Sequence, residues 1–142
     1  IEILKKEELE FSYRKSKNLD NKIILSATLI VEKGDKKIID QNLSAFNNKR
    51  KKSQPAAIYN AGSVFKNTKD YYAGELIDNA GLKGYEIDGV SVSEKHANFF
   101  VAQKGAKAIS LFELVQYVKD KVSTKFGIVL EEEIIFIGDF TK

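Results

Sequence analysis

Ser63 follows Gly62 in the run Tyr59-Asn60-Ala61-Gly62-Ser63-Val64-Phe65-Lys66-Asn67, where a polar loop gives way to an apolar strand. A glycine there admits a positive φ or a close backbone approach. The hydroxyl beside it can donate a proton or cap a turn. A Ser–His–acid hydrolase would need Ser63, His96 and a carboxylate, but Gly62-Ser63-Val64 lacks the second glycine of a nucleophile elbow. On these residues alone the capping and proton-donating roles both stay open.

Glu131-Glu132-Glu133 interrupt the apolar run "IVLEEEIIFI". Consecutive carboxylates usually form a solvated face, yet in a strand Glu132 must point away from its two neighbours. At least one carboxylate is therefore expected to face an interior or a pocket. Unpaired burial would suit it to acid–base work, and an ion pair with a lysine would read identically. Lys49-Arg50-Lys51-Lys52 is a basic cluster where a helix ends, as the helix dipole favours. It reads as a solvated terminus, then as an anion or phosphate site, and only distantly as a nucleic-acid patch, because no RNA-binding pattern accompanies it. His96, the single histidine, precedes an apolar strand in "SEKHANFF". It is expected to be a hydrogen-bonded strand-end residue or, alternatively, a substrate contact.

These residues need elements to hold them. Residues 7–18 read as a short helical turn followed by an irregular or extended piece. Residues 22–32, "KIILSATLIVE", are rich in β-branched and aliphatic side chains and predict a strand. Ile38, Ile39, Leu43 and Phe46 recur near helical spacing, predicting a helix over 35–52 that Asp35 can cap and that must end before Pro55. A short helix is predicted over 71–80, closed by Gly81, and short strands joined by turns over 82–103. Leu111, Leu114, Val115, Val118 and Val122 form the stripe of an amphipathic helix over 108–126, closed by Gly127. A strand over 128–137 completes an α+β layer.

At 142 residues the chain is long enough for one ordinary domain with a buried core, and 43% hydrophobic with 30% charged residues describes a soluble globular protein. A formal charge of +3 is too balanced to call for nucleic acid or membrane. With no cysteine there is no thiolate nucleophile, and one histidine excludes a two-imidazole metal site, so metal chemistry is not expected. No apolar run approaches a bilayer span and no signal peptide opens the chain, so the expected location is cytoplasmic. A start at Ile1 that reaches strand-like sequence at once suggests the later part of a longer protein.

Taken together, "QPAAIYNAGSVFKN", "YYAGELIDNAGLKGYEIDGVSVSEKHANFFV" and "FGIVLEEEIIFIG" resemble the C-terminal half of the UDP-N-acetylenolpyruvoylglucosamine reductase family, also called UDP-N-acetylmuramate dehydrogenases. "FSYRKS" and "IILSATL" look like the end of that family's preceding flavin domain. The resemblance implies an α+β substrate-binding domain with helices on a small sheet. It divides the chain into the end of an FAD-binding domain (1–34), a connecting helix (35–53) and a UDP-sugar-binding domain (54–142). It also implies the cofactors FAD and NADPH and a role in peptidoglycan synthesis. A non-catalytic UDP-sugar-binding module is the alternative.

By the same resemblance Ser63 is the general acid and Glu133 the catalytic carboxylate, while Lys52 and Asn67 hold the UDP-sugar. Arg14 falls on the arginine of a flavin-domain motif. The sequence departs from the family pattern at Lys15, Thr68, Glu132 and Ile135, where Asp, Pro, Pro and Arg are usual. It carries no inserted Tyr loop, as in the subclass lacking the substrate-clamping tyrosine. The family's FAD-binding segments and a catalytic arginine lie upstream, so the chain alone is not expected to complete the reaction.

Overall fold

The computed structural model describes residues 1–56 and 59–140. The chain forms two compact units, residues 1–36 and 37–142.

In the first unit a 3-10 turn at Lys6–Leu9 is held by the Glu8 carboxylate, which accepts the Lys5 N–H at 2.7 Å. A small hairpin follows, β1 (Phe11–Ser12) and β2 (Lys15–Ser16), with Arg14 at φ 59° in the connecting turn. The strand expected over 22–32 does not form. A strand exists only by sharing its main-chain donors and acceptors with a neighbour, and this segment has no ladder partner among the described residues. Ile23, Leu25, Leu29 and Ile30 are exposed instead, Ile30 completely.

Helix α1 (Lys36–Ser53), which lies in the second unit from its second residue on, follows the predicted period but buries none of its residues. A four-stranded antiparallel sheet comes next, in spatial order β3-β6-β5-β4: β3 (Asn60–Ser63), β4 (Glu86–Ile87), β5 (Val90–Val92) and β6 (Phe99–Ala102). Helices α2 (Ala73–Asn79) and α3 (Ala108–Phe126) complete the α+β layer. α3 packs against α2, β4 and β5 through Leu114, Val115, Val118 and Val122, all fully buried, with Leu111 at the margin. Its last turn closes where the Gly127 N–H returns to the Ser123 carbonyl at 2.8 Å. Tyr85, beside β4, stacks on Tyr117 of α3 at 4.2 Å.

The strand expected over 128–137 reduces to one bridge, Glu132 opposite Phe65. Its alternation is strand-like: Leu130 is buried and Phe136 packs on the core, while Val129, Ile135 and Ile137 face solvent. The partner available to it is only the short Val64–Lys66 segment, so the ladder stops there. Aromatic packing carries the rest, Phe112 of α3 lying 5.2 Å from Phe136 and 5.3 Å from Phe140. Among the described residues no helix is long and apolar enough to cross a membrane.

Candidate active site

β3 carries Ser63 at its end, opposite Phe99 of β6, with an irregular register between Asn60 and Ser63. Gly62 makes that irregularity: its φ of +80° is readily reached only without a Cβ, and its N–H is received by Asn60 Oδ1 at 3.0 Å. Ser63 is half-buried, and the chain then dives into the core at Val64 and Phe65.

The carboxylate run meets this segment by backbone pairing. The Lys66 N–H donates to the Glu131 carbonyl and the Glu133 N–H to the Val64 carbonyl, both at 2.8 Å. Ser63 and Glu133 thus sit on two segments joined at the intervening Val64. The three side chains take different surroundings. Glu131 is exposed and pairs with Lys66. Glu132 turns to α3, where its Oε1 receives the Lys119 Nζ at 2.7 Å with both side chains about three-quarters covered. Burial alone would push the Glu132 carboxyl up, but hydrogen bonds from Lys119, its own backbone and Gln116, with the lysine's charge, together hold it below the usual value. Glu133 has its Oε2 buried.

Asn67 lies on the turn before α2, where its Oδ1 accepts the Ala73 N–H at 2.9 Å and satisfies one of that helix's first donors. His96 occupies the loop before β6. Ser93 Oγ receives the N–H groups of Lys95 and His96 at 3.2 and 3.3 Å, and the imidazole Nδ1 receives the Asn98 N–H at 3.3 Å. The ring lies edge-on to Phe99 at 4.8 Å, and it comes so near α2 that a Cβ on Gly74 would sit 3.3 Å from Cε1.

An open groove of ≈ 610 Å³ runs between the end of α1 and the start of the sheet, lined by Phe46, Lys49, Arg50, Gln54, Gly62 and Phe99 among others. Its mouth reaches Gly62, next to Ser63. Lys52 is exposed in the last turn of α1 and does not line it; Lys49 and Arg50 are the cations that do. The Lys95 ammonium caps the α1 terminus at the Lys51 carbonyl, tying the His96 loop to that helix. In the other unit Arg14 is exposed, its guanidinium 5.0 Å above the Tyr13 ring. Among the described residues no group of three His, Asp or Glu is arranged to hold a metal ion.

Ser63, Glu133 and His96 were legible as chemistry-bearing types in their sequence context. Asn98 was not. It is 1% exposed, and its carboxamide bonds to the Phe65 main chain on both sides. The one signal for it is a polar residue directly before an apolar strand.

Comparison with known proteins follows the same residues. The family description "UDP-N-acetylenolpyruvoylglucosamine reductase, C-terminal domain" fits residues 54–137. A UDP-N-acetylenolpyruvoylglucosamine reductase of Caldanaerobacter subterraneus subsp. tengcongensis is 40% identical over 140 residues, covering 98% of this chain and 46% of that protein. The one from Fervidobacterium nodosum is 45% identical over 134 residues, covering 92% and 43%. The crystal structure of UDP-N-acetylenolpyruvylglucosamine reductase from Thermus caldophilus superposes with a TM-score of 0.75 at 35% identity, covering 89% of this chain and 46% of that one. The chain spans less than half the length of these relatives. A match over most of its own length, on the fold just described and across both Ser63 and Glu133, means that the chain belongs to the UDP-N-acetylenolpyruvoylglucosamine reductase family through that family's C-terminal domain.

Proposed function

We propose that this chain supplies the substrate-binding and proton-donating half of a cytoplasmic reductase that converts UDP-N-acetylglucosamine enolpyruvate to UDP-N-acetylmuramate in peptidoglycan synthesis, with NADPH and FAD as cofactors. Arg14, one exposed guanidinium on a hairpin turn, does not by itself make a flavin site. The FAD-binding partner is assigned to the part of the relatives' length that this chain does not span. When bound, the flavin supplies hydride.

What remains is the work of this chain. Hydride addition at one carbon of an enol ether leaves negative charge on the next carbon and its carboxylate. Ser63 donates the proton there. A serine hydroxyl is a poor acid in water, so this role needs a strongly basic carbanion and donors or cations beside the oxygen. Glu133 polarises the enolpyruvyl group and stabilises the enol-like intermediate. Asn67, His96 and Lys52 hold the sugar nucleotide, and Lys49 and Arg50 of the groove add positive charge for its diphosphate.

The observation that carries this reading is the 2.8 Å bond from the Glu133 N–H to the Val64 carbonyl, which holds the main chain of Glu133, the proposed enol-stabilising residue, against the residue after Ser63, the proposed acid. The test uses the full-length protein and its two half-reactions. Ser63→Ala should leave flavin bleaching by NADPH intact and slow recolouring by the enolpyruvyl UDP-sugar by roughly 10²–10⁴-fold. Equal loss of both half-reactions would end the general-acid assignment. A full-length protein that binds UDP-sugar but cannot be loaded with flavin would leave the non-catalytic binding module.

A further inference from the structure

Asn98 stands in the turn between His96 and β6, and its side chain serves a segment 33 residues earlier. The Phe65 N–H donates to Asn98 Oδ1 at 2.9 Å, and Asn98 Nδ2 donates to the Phe65 carbonyl at 2.8 Å. The main chain extends the grip. The Val64 N–H donates to the Asn98 carbonyl at 2.8 Å, and the Asn98 N–H donates to His96 Nδ1 at 3.3 Å.

The reason for an asparagine is geometric. Regular pairing of β3 with β6 ends at Ser63, and the edge of Val64–Lys66 that points the other way is used by Glu131 and Glu133. The Phe65 N–H and carbonyl therefore need partners inside the core, where Phe65 is wholly buried. A carboxamide presents one acceptor and one donor side by side, as the edge of a peptide does, and replaces the missing strand. Losing it would strand two buried polar groups.

Two groups of the site therefore depend on one side chain. Ser63 immediately precedes the gripped Val64–Phe65 pair, and Glu133 bonds to the far side of Val64. Resting on the function proposed above, we infer that Asn98 is a positioning residue for the reaction: its carboxamide sets Ser63 in register against Glu133, acting through them.

Two readouts on the full-length, flavin-loaded enzyme separate this inference from the proposed function. Hydrogen exchange of the peptide spanning residues 63–67, read by mass spectrometry, needs no turnover. Asn98→Ala should accelerate it about tenfold or more. Unchanged exchange would overturn the clamp whatever the enzyme catalyses. In turnover, Asn98→Ala should slow flavin reoxidation by the enolpyruvyl substrate by roughly 10²-fold while reduction by NADPH stays within about twofold. If Ser63 is already Ala, adding Asn98→Ala should cost little more, because the two residues act as a unit. A full multiplicative loss in the double variant would overturn the inference, and so would a normal reoxidation rate in the single one. If the parent enzyme is not reoxidised by this substrate, the proposed function fails and exchange alone decides the clamp. Should Asn98→Ala not fold, Asn98→Asp keeps the size and the acceptor for the Phe65 N–H but loses the donor to its carbonyl. It should lose reoxidation by about tenfold. If neither variant yields flavin-loaded protein, Asn98 serves the whole core and the positioning role is overturned.

Discussion

Among three consecutive glutamates the chain achieves three different environments, and Glu132 shows the physical cost of doing so. Its largely covered pair with Lys119 holds the 131–133 segment onto α3, and its carboxyl sits below the usual value. A folded-state value below the unfolded one stabilises the fold above the ordinary carboxylate pKa of about 4.3, and that contribution is lost as pH falls through the folded value. Glu132→Gln should therefore destabilise at neutral pH by under about 1 kcal/mol, the two side chains being only partly desolvated. Its acid-unfolding curve should move toward the parent's at low pH, where Glu132 is protonated anyway. Melting temperatures from about pH 3 to 7 check this, and a constant offset at every pH would assign the effect to packing. Glu131 and Glu133 needed no periodicity to be noticed, but which carboxylate meets which lysine depends on the fold: Glu132 meets Lys119 of α3, 13 residues away, and Glu131 meets Lys66, 65 residues away, and spacing does not encode that.

The α3 helix is the element whose sequence speaks most plainly, because its apolar stripe and its core face coincide. Leu114→Ala should remove about 2–5 kcal/mol, the lost transfer energy plus a cavity that the surrounding valines cannot fill. Denaturant unfolding followed by far-UV circular dichroism measures it, and a loss under about 1 kcal/mol would mean that the α3 core relaxes around the void. The same 3.6-residue logic predicts α1 correctly, yet its Ile38, Leu43 and Phe46 remain more than half exposed. Amphipathic spacing announces a helix and a face, not the surface that covers it. Strand composition is weaker still. Residues 22–32 have the right side chains and no ladder partner, while 128–137 finds one for a single bridge. Pairing is a property of two segments, so neither outcome could be read from one. Asn98 fails to announce itself for the same reason, since its partner is Phe65 and nothing in "HANFF" names it.

The whole molecule divides into a unit with a core and a unit without one. All the fully buried apolar side chains among the described residues lie in residues 64–130, whereas Ile23, Leu25, Leu29 and Ile30 of the first unit are solvent-facing. Deleting residues 1–34 should leave the cooperative thermal transition of the second unit in place and lower the binding of a hydrophobic-surface dye. Loss of the transition would show that the core depends on the first unit after all. The Val64–Lys66 pairing with Glu131–Glu133 also bears on time. Its two strands are about 65 residues apart in the chain. Closing so long a loop is entropically unfavourable until much of the intervening structure has formed. Ser63 and Glu133 therefore meet only when the domain is nearly complete. A half-folded or half-synthesised chain carries Ser63 without the segment of Glu133 beside it, and the pair proposed above for the reaction is assembled late in folding.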